Sequence, residues 1–336
     1  MSHKAPMACA GAFAAVAALA GIGPALSHTI VGNRVFPATL DIDDPGVNDE
    51  LAMPGFAYIA NPDNSNEYDF RVEYQKTITA DLSFSIGSAF THLTNTAKPD
   101  GTIGTLNGWH NVETQLKYQL YTNAEHEFIV SAAGSVEWGH TGSLSIGSDP
   151  FTSITAKGFV GKGFGDVDAE WLRPIAVTGE IDYTWSTHPT DFSFDPVNGL
   201  SVSQTPTVLT YGATLQYSLL YMNSYVHEVP EFFRHLVPDL EVVFSTPVSN
   251  IGPSVIEAIP GTHETTGTWG PGLYYFGRLG PVSFELGAVT QIPINRASGR
   301  HVGALAILDL FFDDMFPDSL GKPLFGGSQP RAAKLY

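Results

Sequence analysis

From Met53 to Phe312 the chain alternates apolar and polar residues with a period of two. In Glu67-Tyr68-Asp69-Phe70-Arg71-Val72-Glu73-Tyr74 every second residue is apolar and every other one is charged. Leu82, Phe84 and Ile86 alternate with Ser83, Ser85 and Gly87. Leu116, Tyr118 and Leu120 oppose Glu113, Gln115, Lys117 and Gln119. The same pattern runs through Phe128–Trp138, Ile175–Trp185, Leu209–Tyr217 and Val282–Ala288. Fainter versions cover Met53–Ala60, Thr152–Lys162, Leu240–Pro247, Trp269–Gly277 and His301–Phe312. Successive side chains of a strand point to opposite faces, so this pattern predicts β-strands with one apolar and one polar face.

Soluble sandwiches alternate too, and three further features separate the possibilities. Many segments run to about ten residues, whereas strands of soluble domains average about five or six. Aromatic residues stand near strand ends on the apolar face: Tyr74, Tyr118 and Tyr217 at one end, Tyr68, Trp138 and Trp185 at the other. These match the interfacial girdles of membrane barrels. Connections alternate between short turns, near Thr79–Ala80, Thr122–Glu125 and Arg278–Gly280, and long polar stretches, near Thr91–Gly108, Gly139–Pro150, Ser186–Thr205 and Ser249–Thr268. The expectation is an all-β, antiparallel transmembrane β-barrel of about 12 strands, with short periplasmic turns and long external loops.

The start of the chain departs from this pattern. A short basic start at His3 and Lys4 precedes the small-apolar run Ala10–Gly23, which is too short for a spanning helix. Ala25-Leu26-Ser27 then offers a cleavage site. The division expected is a signal peptide over 1–27, an extension over 28–50 forming a periplasmic strap or a plug entering the lumen, a barrel over 51–312, and a periplasmic tail over 313–336. Val229–Leu240, bounded by prolines, reads as a short amphipathic helix in a periplasmic turn.

Composition narrows the partners. The one cysteine, Cys9, lies in the expected signal peptide, so a mature chain would hold no disulfide or thiolate metal site. Beyond residue 27 there are 15 basic and 34 acidic residues, a net charge of −19. That charge disfavours nucleic acid. Nucleophile-elbow, zinc-protease and phosphate-loop patterns are absent, so no enzyme activity and no cofactor are expected. The expected partners are outer-membrane lipid, a small-molecule solute and, during biogenesis, the barrel-assembly machinery.

With polar faces inward, the lumen is lined by Glu67, Asp69, Arg71, Glu73, Glu113, Lys117, Glu137, Glu180, Asp182 and Glu285. Such a lumen either favours cations or is closed by pairing of its own charges. Histidines concentrate on the external side. His92, His110, His140 and His188 are candidate metal ligands there, because imidazole with nearby carboxylate suits a divalent transition metal.

The segment His28-Thr29-Ile30-Val31-Gly32-Asn33-Arg34-Val35-Phe36-Pro37, the Asp43-Asp44-Pro45-Gly46 motif and the run of amphipathic strands resemble Gram-negative outer-membrane barrels of the phenol-degradation MetA-pathway transporter type. The resemblance implies passive uptake of small molecules, aromatic ones among them, and carries over no site residues. The expected function is a passive channel or transporter for small, aromatic or cationic solutes. The alternative is a closed barrel with a structural or loop-borne binding role. One departure is that 24 residues follow the final Phe311-Phe312.

Overall fold

The computed structural model describes residues 29–326 apart from 62–63, 99–100, 196–198, 252–263, 281 and 300. The expected signal peptide, with Cys9 and His28, therefore lies outside the described residues. The chain opens with two short strands, β1 (Thr29–Val31) and β2 (Arg34–Phe36), paired across a Gly32-Asn33 turn. Gly32 has φ +64°, a left-handed conformation that glycine adopts without steric cost.

The strands that follow are β3 (Glu50–Ala60), β4 (Asn66–Thr79), β5 (Leu82–Ala97), β6 (Ile103–Trp109), β7 (Val112–Asn123), β8 (Phe128–Trp138), β9 (Ser153–Gly163) and β10 (Ile175–Ser186). Then come β11 (Thr190–Asp195), β12 (Gly199–Gln204), β13 (Thr207–Tyr217), β14 (Leu236–Ser249), β15 (Thr266–Leu279), β16 (Val282–Pro293) and β17 (Gly303–Phe311). Twelve of them close into one antiparallel barrel. The order β4-β3-β17-β16-β15-β14-β13-β10-β9-β8-β7-β5 returns to its start through a full β4–β5 ladder. β6 is an extra arm that pairs with the far end of β5, and β11–β12 is a separate hairpin. Each of the twelve expected segments coincides with one barrel strand. No helix among the described residues is long and apolar enough to cross a membrane.

The two faces of the wall are inverted relative to a soluble protein. Phe70, Ile86, Leu116, Leu120, Ile181 and Leu215 point outward and stay exposed, whereas Asp69, Gln75, Thr77, Lys117, Glu241 and Glu285 point inward and are buried. In membrane-spanning barrels an apolar outer band of this kind is the face that meets lipid. Aromatic pairs mark both rims of the band. Tyr58–Tyr68 and Phe90–Trp109 stand at the external rim, with ring centres 5.2 and 5.5 Å apart. Tyr121–Phe128 and Tyr74–Phe312 stand at the other, each at 6.1 Å.

Periplasmic connections hold the main departures from expectation. The helix expected over Val229–Leu240 is instead a series of turns, and Leu236 already begins β14. Pro230 and Pro238 explain this, since neither can donate in a helix interior. The helix in this connection is Leu219–Tyr225, capped by the Ser218 hydroxyl on the Tyr221 amide at 3.0 Å. After β17, a helical turn Phe312–Met315 sends the chain back under the barrel. There the Leu324 and Phe325 amides donate to the Thr77 and Ile78 carbonyls at the end of β4.

Residues 29–49 lie inside the barrel. Phe36 packs with Val31, Ile129 and Ala176, and Val35 packs with Leu220, Val237, Tyr274, Phe276 and Val289. The barrel partners in both clusters point inward, so the periplasmic half of the lumen has an apolar core. Gly161 of β9 makes room for this segment. A Cβ added there would come 3.2 Å from the Phe36 ring and 3.1 Å from Pro45.

Candidate functional site

The N-terminal segment is held in the lumen by charge as well as packing. Arg34, fully buried, donates to Glu127 at 3.1 Å and to the Pro174 carbonyl at 3.0 Å, and also to the Arg173 carbonyl. Its guanidinium lies 4.0 Å from the centre of the Tyr221 ring. Glu127 also accepts from the Gly165 amide at 3.0 Å. Further along, the Glu241 carboxylate accepts from the Asp41 amide at 2.7 Å and from the Tyr274 hydroxyl at 2.5 Å. Tyr274 in turn accepts from the Leu40 amide at 2.9 Å. At the junction with the barrel, Asp49 takes Lys76 at 2.6 Å and the Thr77 hydroxyl at 2.6 Å, while Lys76 also donates to the Leu320 and Lys322 carbonyls of the tail.

The deepest point of the segment is Asp43. Lys117 of β7 pairs with its carboxylate at 2.7 Å and donates to the Asp44 carbonyl at 2.9 Å. The Asp43 amide donates to Glu180 of β10 at 2.7 Å. Lys157 of β9 stands 3.8 Å from Glu180 and 3.6 Å from Asp182, both on the neighbouring strand. Burial opposes ionisation of Asp43, but the charges of Lys117 and Lys157 outweigh it and hold the carboxyl below its ordinary range. Its neighbour Asp44 is pushed up, because burial there outweighs Lys117 and Asp43 adds a like charge. Asp41 is raised to about 6, chiefly by burial and despite the Gln291 amide at 2.6 Å.

Above Asp43 the lumen opens into a cavity of about 410 Å³ on the external side. Asp43, Glu67, Asp69, Glu73, Glu113 and Glu137 line it, against the fixed cations Arg71 and Lys157. Acidic groups therefore outnumber fixed cations in this lining.

The ten lumen residues expected from the sequence thus divide. Glu67, Asp69, Arg71, Glu73, Glu113 and Glu137 line the external cavity. Lys117 and Glu180 grip the N-terminal segment, and Asp182 holds Lys157 beside that grip. Glu285 lies near the start of β16, where it accepts from the Ala38 amide at 3.4 Å. The four histidines also separate. His92 shares the outer face with Tyr68, 6.1 Å between ring centres, and its ring contacts Asn107 at 2.5 Å. His140 occupies a turn with φ +63°, and His188 contacts the Thr187 hydroxyl at 3.2 Å. Among the described residues one group of three histidine and carboxylate side chains converges, Glu67, Asp69 and His110, with ligand atoms within 4.8 Å of one another. Of the four histidines expected as ligands, His110 is the one that stands beside two lumen acids.

Sequence reasoning missed the partners supplied by the N-terminal segment, Arg34 and Asp41 to Asp44. It also passed over a legible signal. Ile129, Phe159, Val237 and Val289 are apolar residues on the polar face of their strands, and three of them, Ile129, Val237 and Val289, pack where that segment seats.

No family model matches the chain, and no curated protein matches it. Solved structures of similar shape are outer-membrane barrels. One is an outer membrane channel from Pseudomonas putida F1, with a TM-score of 0.49 and 12% identity, covering 83% of this chain and all of that one. Another is the NanC porin, with a TM-score of 0.44 and 9% identity over 78% of this chain and 98% of that one. A third is the KdgM porin in complex with disordered oligogalacturonate, with a TM-score of 0.41 and 9% identity over 78% and 98%. At such identities the likeness concerns the fold. The class the structure itself defines is a closed, twelve-stranded antiparallel β-barrel with an apolar outer face.

Proposed function

We propose that this chain is exported with a cleaved signal peptide over 1–27, resides in a bacterial outer membrane, and is a passive channel for small cationic solutes. In this reading residues 28–50 are its plug, 51–312 its barrel and 313–336 a periplasmic tail. The observation that carries it is the external cavity, rich in carboxylates and lined on one side by Asp43 of the N-terminal segment as well as by the barrel wall. A lining made by a tethered segment can leave, whereas a lining made by the wall cannot. Aromatic solutes, which the resemblance to phenol-degradation transporters implies, are compatible in size, and a positive charge on the solute suits the lining. The barrel-assembly machinery would insert the strands, and lipid would cover their outer face.

Reconstitution in planar bilayers tests this. The folded chain is expected to give small, cation-selective conductance, with selectivity reduced by Glu113→Gln. Absence of conductance both from the native chain and from a variant whose plug has been loosened sinks the channel reading. A second reading is a closed barrel that binds ligand at its external mouth. The buried packing of Phe36 against Ile129 favours it, since a close-packed apolar core leaves no path for solute. That reading predicts ligand binding without conductance in either form.

A further inference from the structure

We propose that Glu67, Asp69 and His110 form a divalent transition-metal site at the external end of the acidic cavity. Glu67 and Asp69 are two residues apart on β4, so period two places both carboxylates on the inner face. His110 comes from the corner between β6 and β7. The extra arm β6 carries the chain away from the wall and back, and this return brings an imidazole over the cavity.

The three groups differ from an ordinary ion pair. His110 Nε2 lies 3.9 Å from Glu67 Oε1, longer than a hydrogen bond. The ligand atoms of all three residues fall within 4.8 Å. Zinc bound to nitrogen and oxygen at about 2.0–2.2 Å needs ligands roughly 3.4 Å apart, so a contraction of up to about 1.4 Å completes the set. The surroundings hold the backbone at His110 and both carboxylates. The His110 amide donates to the Ala89 carbonyl at 2.8 Å, and its carbonyl accepts from the Ser88 hydroxyl at 2.9 Å. Asp69 accepts from the Thr91 hydroxyl at 2.5 Å and from Arg71 at 3.3 Å, and Glu67 accepts from the Asn61 amide at 3.4 Å. Outer partners of this kind orient metal ligands. The cavity below supplies room for the water molecules that complete the coordination.

The ligand chemistry follows from the donors. One imidazole with two carboxylates suits zinc or a neighbouring first-row divalent ion, whereas calcium takes six or more oxygens. The site deepens the channel reading but does not depend on conduction, because binding is measured on the folded barrel alone. Titration calorimetry of the full detergent-folded chain with Zn²⁺ is expected to show one saturable site. His110→Ala should weaken it at least tenfold, and Glu67→Gln should do so as well. His92→Ala, His140→Ala and His188→Ala should leave it unchanged. His110→Gln, which keeps a polar side chain at the corner, should match His110→Ala and guards against misfolding. Zn²⁺ affinity unaltered by both His110 variants overturns the proposal, as does equal Ca²⁺ binding that ignores them. If Zn²⁺ binds as expected and no variant conducts, the site stands and the channel reading falls.

Discussion

Asp43 and Lys117 meet at 2.7 Å across the lumen, one on the N-terminal segment and one on β7. Lys117 is almost wholly buried, at 2% side-chain exposure, while Asp43 keeps 38% in the cavity lining. This contact joins the segment to the wall at its deepest point, and Lys117 holds the adjacent Asp44 carbonyl as well. Asp43→Asn removes the charge but keeps the shape. Losing one partner of a buried pair costs about 3–5 kcal/mol, and exposure of Asp43 to the cavity reduces this to about 1–3 kcal/mol of docking. The expected outcome is longer and more frequent openings in single-channel records. Unchanged records would show that the segment is held elsewhere.

Arg34 and Glu127 anchor the other end of the segment. Both side chains are nearly inaccessible, and Arg34 uses its remaining donors on two backbone carbonyls. Arg34→Met leaves Glu127 buried with the Gly165 amide as a remaining partner, at a cost of about 3–5 kcal/mol. Limited proteolysis of the folded protein should then cleave within residues 29–49 faster than in the native chain, while the barrel stays resistant to heat and detergent.

Gly161 tests the apolar part of the seat. A Cβ there would meet Ile129 at 2.8 Å, Pro45 at 3.1 Å and Phe36 at 3.2 Å. Gly161→Val overfills this contact by about 1–3 kcal/mol and should displace the segment rather than the wall. Raised conductance with unaltered barrel mobility on gels is the expected result.

Asp41 adds a pH dependence whose sign can be worked out. Its carboxyl lies near 6 when the segment is docked, against an ordinary value near 4, so docking takes up a proton. Its contribution to docking is therefore full below about pH 4 and is lost as pH rises through 6. The segment should hold more tightly at pH 4 than at pH 7, with correspondingly fewer openings. Asp41→Asn should flatten that dependence, and a variant with the native pH response would exclude Asp41 as its source.

Much of the barrel was legible because alternation is a local property. Tyr68, Asp69, Phe70 and Arg71 show which side of β4 faces lipid without reference to any other strand. The periplasmic helix was not legible. The apolar spacing of Phe232, Phe233 and Leu236 imitates a helix, yet Pro230 and Pro238 break it, and the real helix begins at the Ser218 cap. The histidines part company for a related reason. Alternation carries His92 to the outer face beside Tyr68, whereas the corner after β6 carries His110 inward over Glu67.

The sequence by itself determined twelve two-faced strands, their inward acids and the polar extension ahead of them. Only the tertiary structure decided where that extension goes and which acids it neutralises. Arg34 and Glu127 are 93 residues apart in the chain, and Asp41 and Gln291 are 250 apart. Pairs so distant are set by closure of the barrel and by the register of every ladder around it. A period of two specifies the face of each residue, but not which strand stands opposite it across the lumen.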